Sequence, residues 1–269
     1  MMLHELNTKI KSTMTQSDNF INEFLENHTV NVPANIVILT GAGISAESGL
    51  QTFRGDGGLW CGHRVEDVAT PEAFTRNPDL VHQFYNERRE GLLEEGVKPN
   101  SAHTALADLQ KDWGGEVSIV TQNIDDLHER GGANDVIHMH GEILKSFCIH
   151  CGAKCTQIQN SGTDDTCINC GRTGGMRPDI VWFGEMPYHM DVIENKIANA
   201  DLFLSIGTSG NVYPAAGFVR MADYVGAKTV EINLEPSKNA HDFTHGLYGM
   251  AGTEVPKFVA QILEHKEKG

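Results

Sequence analysis

Five short apolar runs, each suited to one β-strand, recur along the chain and constrain its fold more than any other feature. They cover residues 35–40, 117–121, 180–182, 202–206 and 229–233. Helical patterns occupy residues 187–200, 214–224 and 255–264, between and after these runs. Continuous apolar runs are typical of parallel strands that are buried on both faces and joined by helices. The alternation predicts an α/β fold with a doubly wound, mostly parallel, Rossmann-like sheet.

Four of the six cysteines form two identical pairs, Cys148-x2-Cys151 and Cys167-x2-Cys170, with fifteen residues between the pairs. Two tight turns that each offer two thiolates to one tetrahedral zinc ion have this spacing. Because four thiolates leave no open coordination position, we predict a structural zinc and expect catalysis elsewhere. Disulfides or a redox pair are the alternative, and Cys155 is close enough in sequence to compete as a ligand.

The charge of the chain excludes some classes of partner. Its 269 residues include 36 acidic and 21 basic side chains, which give a formal charge of −15. Such a chain repels a phosphate backbone, so we expect no direct nucleic-acid partner. Neither a secretory signal nor a run of transmembrane length is visible, which predicts a cytoplasmic protein without a membrane partner. A reducing compartment also favours metal over disulfide at the cysteine pairs.

At 269 residues the chain is large for a single hydrophobic core, which predicts one large domain and one smaller part. The large, sheet-containing domain comprises residues 29–54, 101–144 and 177–265. A helical segment at residues 55–100 and the zinc-binding module at residues 145–176 interrupt it and form the smaller part. Residues 1–28 are expected to be an N-terminal extension. The alternatives for this extension are a flexible tail and a short packed helix that uses Phe20, Ile21, Phe24 and Leu25.

Glycine and polar residues follow four of the predicted strands, at residues 41–49, 121–125, 207–211 and 233–236. Open α/β sheets bind ligands outside the carboxyl ends of their strands. A glycine-rich turn lets backbone N–H groups approach a pyrophosphate, and amides and carboxylates suit ribose hydroxyls and a carboxamide. Each motif alone could be a tight connection or a helix cap. Four of them on one sheet edge indicate a dinucleotide site.

In their order along the chain, these motifs resemble the signature of the sirtuin family. The stretches concerned are Gly41-Ala42-Gly43-Ile44-Ser45, Thr52-Phe53-Arg54, Gln122-Asn123-Ile124-Asp125, His140-Gly141, the two cysteine pairs and Gly207-Thr208-Ser209. The resemblance covers about residues 32–260, and residues 181–187 and 211–217 are most similar to the bacterial CobB-type enzymes. Gln51 departs from the proline that many sirtuins have just before Thr-Phe-Arg.

The resemblance implies an NAD-dependent protein-lysine deacylase with one structural zinc ion. In this family nicotinamide is released from NAD, the acyl group moves to ADP-ribose and free lysine leaves. His140 matches the general base, which takes a proton from a ribose hydroxyl. His138 would lie on the same face of an extended segment, so periodicity cannot separate the two histidines. The family match selects His140 as the catalytic residue.

The resemblance also implies which residues contact NAD. They are Gly41, Ala42, Gly43, Ser45, Phe53, Arg54, Gln122, Asn123, Asp125, Gly207, Thr208, Ser209, Asn233, Leu234, Glu235 and Ala251. We expect Phe53 and Arg54 on the nicotinamide side, and Ser209, Asn233 and Glu235 at the adenosine half.

Tyr85 and Arg88 are three residues apart on a predicted helix at residues 79–95 and therefore share a face. A phenol donor and a guanidinium can hold the free acid of a succinyl-lysine. Ala73 would leave room for the longer acyl chain. Together, Tyr85, Arg88 and Ala73 resemble the pattern of desuccinylating sirtuins. The resemblance implies that the helical segment contains the acyl pocket. The alternative is that Tyr85 belongs to the core and Arg88 to a solvated charge run. The family match favours a deacetylase that is also a desuccinylase.

The family resemblance also places the substrate, an acylated lysine side chain of a protein. The peptide would pair as a strand between residues 181–184, including Val181 and Phe183, and residues 210–213. Three other functions use the same motifs differently. A mono-ADP-ribosyltransferase would leave ADP-ribose on its target, a nicotinamide-dependent oxidoreductase would produce reduced cofactor, and a zinc-ribbon interaction module would bind no NAD.

Overall fold

The computed structural model describes residues 20–21, 23–24, 34–52, 59–60 and 62–266. Its strands are β1 (Ile36–Thr40), β2 (Leu59–Trp60), β3 (His63–Arg64), β4 (Val117–Thr121), β5 (Ile137–His138), β6 (Gly141–Cys148), β7 (Lys154–Thr156), β8 (Met176–Ile180), β9 (Leu202–Ile206), β10 (Lys228–Asn233) and β11 (His245–Tyr248). Its α-helices are α1 (Val65–Val68), α2 (Pro71–Arg76), α3 (Pro78–Leu93), α4 (Ser101–Asp112), α5 (Leu127–Arg130), α6 (Met190–Ala198), α7 (Phe218–Tyr224) and α8 (Ala251–Lys266).

The central sheet has six parallel strands in the order β11-β10-β9-β1-β4-β5. From β1 the chain builds outward through β4 and β5 and then returns to the other side of β1 with β9, β10 and β11. The strand order therefore reverses between β1 and β9, which is the topological switch point of a doubly wound sheet. The predicted fold class is confirmed.

Both faces of the sheet are covered by helices. Successive side chains of a strand point to opposite faces, so alternate residues of β1 pack against different helices. Ile36 and Ile38 pack in a buried cluster with α4 and α8, whereas Val37 and Leu39 pack in a second cluster with α6 and α7. The burial on both faces explains why the strands read as unbroken apolar runs.

The first core cluster also contains two residues of the predicted N-terminal extension. Ile21 is completely buried and Phe24 is 2% exposed, and both pack in the cluster that contains α4 and α8. Residues 20, 21, 23 and 24 are helical. The described residues therefore agree with a short packed helix, and Leu25 lies outside them.

The sequence predicted a parallel strand of the central sheet at residues 180–182. This prediction is wrong. Instead β8 ends at Ile180 and pairs antiparallel with β6 in a separate three-stranded sheet, β7-β6-β8. All five residues of β8 are buried, including Arg177 and Asp179, which form ion pairs with Glu185 and Lys154. Because these two residues are charged, the hydropathy of the sequence does not indicate a buried strand here.

The predicted helices differ from the observed ones mainly at their ends. Helix α6 begins at Met190, later than expected, because His189 before it adopts a left-handed conformation with φ of 60°. Helix α8 begins at Ala251, earlier than expected. Its first turn is stabilised by Glu47, whose Oε1 atom accepts a hydrogen bond of 2.8 Å from the Gly252 N–H.

The helical segment after β3 has its own buried cluster, which includes Val81, Tyr85 and Trp182. Helix α3 begins where the Asn77 side chain accepts a hydrogen bond from the Leu80 N–H and Pro78 occupies the first turn. None of the helices in the described ranges combines the length and the apolar character that a membrane crossing requires.

Candidate functional site

A cleft of about 1100 Å³ lies at the carboxyl ends of β1, β4, β9 and β10, between the central sheet and the helical segment. Most of the predicted site residues line it. These are Gly41, Ala42, Gly43, Ser45, Tyr85, Arg88, Gln122, Asn123, Asp125, His140, Val181, Phe183, Gly207, Thr208, Ser209, Asn233, Leu234 and Ala251. The predicted contacts Phe53 and Arg54 lie outside the described residues.

Glycines bring the ends of β1 and β9 into backbone contact at the switch point. The Gly43 N–H donates a hydrogen bond of 2.9 Å to the Gly207 carbonyl. A Cβ atom on Gly43 would lie 2.7 Å from the Gly207 Cα atom, and Gly207 itself has φ of 65°. Side chains at these two positions would push the strand ends apart. The glycines therefore set the width of the cleft floor.

Ser45, Asn123 and Asp125 form one hydrogen-bonded group in the cleft. The Ser45 hydroxyl donates to Asp125 Oδ2 over 3.0 Å and accepts from Asn123 Nδ2 over 3.1 Å. Burial raises the pKa of Asp125 to about 6, although donors from Leu127 N and Ser45 lower it in part. The group therefore offers a carboxyl and an amide whose positions are fixed by each other, as recognition of hydroxyl groups requires.

The His140 imidazole is held by the backbone of the segment that follows β4. Its Nδ1 atom lies 3.1 Å from the Gln122 carbonyl oxygen. Because a carbonyl only accepts hydrogen bonds, Nδ1 carries the hydrogen and Nε2 keeps its lone pair. Burial lowers the pKa of His140, so the neutral form predominates at neutral pH. This imidazole can accept a proton at Nε2.

His138 has a different environment, which separates the two histidines that periodicity left equivalent. Its Nε2 atom lies 2.7 Å from Glu129 Oε1 and its Nδ1 atom 3.4 Å from the Asn123 carbonyl oxygen. Burial alone would lower the pKa of His138, but the hydrogen bond and charge of Glu129 outweigh burial and raise it. Both ring nitrogens have partners, so His138 is not available as a base in this arrangement.

The side of the cleft at β9 and β10 is stabilised by Asn233. Its Nδ2 atom donates to the Thr208 carbonyl over 2.6 Å, and its Oδ1 atom accepts from the Leu234 N–H over 3.2 Å. The first of these bonds joins the end of β10 to the loop that follows β9. Glu235 is exposed and does not occur among the described residues that line the cleft, so its contact with the adenosine half stays a prediction.

Tyr85 and Arg88 both line the far end of the cleft on helix α3. The Tyr85 hydroxyl accepts a hydrogen bond of 2.9 Å from Trp182 Nε1 and has no exposed surface. The Arg88 guanidinium lies 3.3 Å from the ring of Phe84 and donates to the Phe84 carbonyl. Arg88 is mostly buried, and its Nε atom has no partner within the described part of the chain. Its Nη1 atom lies 3.7 Å from Glu87 Oε2, and the Glu87 side chain is 52% exposed, so this ion pair is loose and screened by solvent.

Ala73 is not positioned as the sequence had suggested. It is completely buried in the core of the helical segment and is absent from the described lining of the cleft, where Ala69 lies instead. The family resemblance had suggested Ala73 in helix α2, whereas Ala69 lies in the bend between α1 and α2. Other lining residues that the sequence analysis did not assign are Trp60, Leu50, Glu47 and Trp182. Two of these had a signal, since Glu47 lies in the motif at residues 41–49 and Trp182 in the motif at residues 181–187.

The four paired cysteines meet outside the cleft in two equivalent turns. Their Sγ atoms all lie within 4.8 Å of one another, and two of the Sγ–Sγ distances are 3.7 Å. Tetrahedral zinc with Zn–S bonds of about 2.3 Å separates its sulfur atoms by about 3.8 Å. The donor set therefore fits a structural zinc ion. Cys155 is half-buried and does not belong to the cluster.

The two turns have the same backbone geometry. Gly152 and Gly171 each have φ of 72°, and their N–H groups donate over 2.8 Å to the carbonyls of Cys148 and Cys167. Left-handed glycines close each turn tightly enough for both of its cysteines to face one point.

Comparisons with known proteins agree with this geometry. A model described as the Sir2 family matches residues 41–214. An NAD-dependent protein deacylase of Bdellovibrio bacteriovorus is 56% identical over 230 residues, which cover 86% of this chain and 97% of that protein. A solved complex of a Sir2 homologue with NAD is 35% identical, with a TM-score of 0.79 over 88% of this chain and 93% of that one. A solved complex of Sir2 with a p53 peptide and NAD is 30% identical, with a TM-score of 0.73 over 93% and 99% of the two chains.

Proposed function

Because the chain belongs to the Sir2 family, as its motifs had predicted, we propose that it removes acyl groups from lysine side chains of proteins with NAD as co-substrate. The NAD-dependent deacylase activity expected from the sequence agrees with the names of its relatives, which are NAD-dependent protein deacylases. The observation that best supports the proposal is His140, whose Nδ1–H is bound to the Gln122 carbonyl while Nε2 has no hydrogen-bond partner among the described residues.

The chain's residues have complementary roles in this reaction. NAD supplies the ribose carbon at which nicotinamide is displaced and, as ADP-ribose, the acceptor of the acyl group. Ser45, Asn123 and Asp125 present hydroxyl, amide and carboxyl groups that suit ribose and carboxamide. His140 accepts the proton of a ribose hydroxyl at Nε2, which activates that oxygen toward the acyl carbon. The zinc ion has no part in these steps, because four thiolates complete its coordination.

We further propose that the acyl pocket accepts succinyl as well as acetyl groups. Tyr85, Arg88 and Ala69 all line the cleft, which supports this proposal. Arg88 would leave the Phe84 carbonyl to pair with the distal carboxylate, since a charge-assisted bond to a carboxylate is stronger than one to a carbonyl. Ala69 takes the role first given to Ala73, because a small side chain is needed in the lining itself.

The substrate peptide has room to lie across the cleft. Val181 and Phe183 line one side, and Val212 and Tyr213 line the other. Phe183 and Tyr213 are 47% and 72% exposed, so both are accessible to a partner. Backbone pairing with an extended peptide gives affinity with little dependence on its sequence.

A set of four unpaired thiols in metal-binding geometry suits a reducing compartment, which supports a cytoplasmic location.

The proposal is tested by mass spectrometry of matched acetyl-lysine and succinyl-lysine peptides, each incubated with the pure protein with and without NAD. We expect free lysine peptide and O-acyl-ADP-ribose from both peptides, only when NAD is present. Products from the acetyl peptide alone would exclude the succinyl pocket and keep the deacylase. ADP-ribose attached to the peptide would instead identify an ADP-ribosyltransferase.

Replacement of Arg88 by Met should separate the two activities. The variant keeps an aliphatic side chain of similar length but loses the charge that holds a carboxylate. We expect kcat/KM for the succinyl peptide to fall about 100-fold, and that for the acetyl peptide to change less than about threefold. Steady-state kinetics on both peptides measure the difference. Arg76→Met is a matched control, because Arg76 is exposed and pairs with Asp67 outside the cleft. Equal losses on both peptides would exclude the clamp.

The protonation state of His140 can be observed directly. Burial lowers its pKa below the ordinary value of 6.5, and the Gln122 carbonyl fixes the hydrogen on Nδ1. A titration followed by ¹⁵N NMR should therefore show a neutral ring with a free Nε2 at neutral pH, which becomes protonated only below pH 6.5. The His140→Gln variant assigns the resonance. A pKa above 6.5, or a hydrogen on Nε2 in the neutral ring, would contradict the proposed base.

A further inference from the structure

The buried indole of Trp182 donates a hydrogen bond to the hydroxyl group of Tyr85 in the wall of the cleft. The distance from Nε1 to the hydroxyl oxygen is 2.9 Å, and the two side chains are 2% and 0% exposed. An indole N–H group only donates, so the Tyr85 oxygen is the acceptor. The hydrogen of the Tyr85 hydroxyl is therefore left for a different partner.

Within the described residues, Trp182 is the only hydrogen-bond partner of this hydroxyl group. Burial raises the pKa of Tyr85 far above its ordinary value, so the hydroxyl keeps its hydrogen under all physiological conditions. A buried donor without an acceptor destabilises a fold, and such groups need an explanation. A ligand that brings an acceptor into this end of the cleft provides one.

Three contacts fix the direction of the Trp182 N–H group. The guanidinium of Arg177 lies 3.3 Å from the centre of the Trp182 ring. Glu185 accepts a hydrogen bond of 2.8 Å from the Trp182 backbone N–H, and the same carboxylate binds Arg177 through two bonds of 2.8 and 2.9 Å. The indole is thus held at its face, at its backbone and at Nε1. A ring held in this way cannot turn to donate elsewhere.

We propose that Trp182 is a positioning residue for acyl selection, which acts by making the Tyr85 hydroxyl a donor toward the acyl group. The inference rests on the proposed succinyl pocket, because Trp182 acts only through Tyr85. An acyl group with an acceptor at its distal end, such as the carboxylate of succinyl, receives the Tyr85 hydrogen. An acetyl group ends in a methyl group and gains nothing. Trp182 therefore increases the preference for acyl groups that end in an acceptor.

The test compares Trp182→Phe, Tyr85→Phe and the double variant on succinyl and acetyl peptides. Trp182→Phe keeps an aromatic ring against Arg177 and removes the N–H donor together with part of the buried ring volume, whose effect the Phe74 control measures. We expect KM for the succinyl peptide to rise about tenfold relative to KM for the acetyl peptide, with the ratio of the two kcat values little changed. Because Trp182 acts through Tyr85, the double variant should lose no more than Tyr85→Phe alone.

A control variant separates this effect from loosened packing. Phe74 contacts Trp182, with a distance of 5.5 Å between ring centres, and belongs to the same buried cluster. Phe74→Leu should weaken the packing around Trp182 while the N–H bond remains, so any loss should be equal for the two peptides.

The outcomes that overturn the inference differ from those that overturn the pocket. If Tyr85→Phe reduces desuccinylation selectively but Trp182→Phe reduces both activities equally, only the positioning role of Trp182 is wrong. Additive losses in the double variant have the same meaning. If Tyr85→Phe leaves desuccinylation unchanged, the proposed pocket is wrong as well.

Discussion

Replacement of His140 by Ala should abolish deacylation of both acetyl and succinyl peptides while the fold persists. His138 cannot replace His140 as the base, because both ring nitrogens of His138 have partners. Loss of a positioned general base typically slows a reaction about 10²- to 10⁴-fold. We expect kcat to fall by at least about 10³-fold, as measured by release of free lysine peptide.

The fold should tolerate this change, since the Gln122 carbonyl lines the cleft and water can replace the lost hydrogen bond. We expect the unfolding temperature to shift by less than about 4 °C and NAD to bind still, as calorimetry would show. His241→Ala is the control, because His241 is 71% exposed and does not occur in the described lining of the cleft. Residual activity above about a tenth in His140→Ala would refute the assignment.

Replacement of Cys167 by Ser should remove the zinc ion and destabilise the protein strongly. A structural zinc ion contributes folding free energy directly, and Cys167 is 2% exposed at the centre of its module. We expect the zinc content to fall from one ion per chain to nearly none and the unfolding temperature to fall by more than about 10 °C. Elemental analysis and calorimetry measure the two effects.

Activity should disappear with the zinc ion although the ion is remote from the chemistry. Strand β6 begins at Gly141, directly after His140, and ends at the zinc ligand Cys148. Cys155→Ser is the matched control, because Cys155 lies in the same module but outside the cluster, and this variant should keep its zinc. Wild-type protein substituted with another tetrahedral thiophilic metal should remain active. Pure active protein without metal would contradict the prediction.

The sequence predicted the central sheet well, because its strands are buried on both faces and contain few polar residues. The run at residues 117–121 coincides with β4, and the run at residues 202–206 coincides with β9. Strand β8 was not predicted, since its buried Arg177 is neutralised by Glu185 only in three dimensions. Strand β5 has two residues, and so short a strand has no periodicity to detect.

Site residues were predictable where the motif is local and less so where the contact depends on tertiary structure. Gly43 and Gly207 follow directly from the strand ends on which they lie. The choice between His138 and His140 needed the family pattern, and the structure explains it by the bond between His138 and Glu129. Ala69, and not Ala73, lines the cleft because of the way the bend between α1 and α2 faces it. The orientation of such a bend cannot be predicted from the spacing of residues in the sequence.

The reversal of strand order between β1 and β9 has a consequence for how such an enzyme can change. The helical segment with Tyr85 and Arg88 is inserted between β1 and β4, and the zinc module between β5 and β9, so neither interrupts the register of the central sheet. The reacting centre lies on the central sheet, whereas Tyr85 and Arg88, which are proposed to select the acyl group, lie on an inserted segment. Exchange of residues 62–100 between relatives that both have a tryptophan at the position of Trp182 should therefore transfer acyl preference and leave the common chemistry in place.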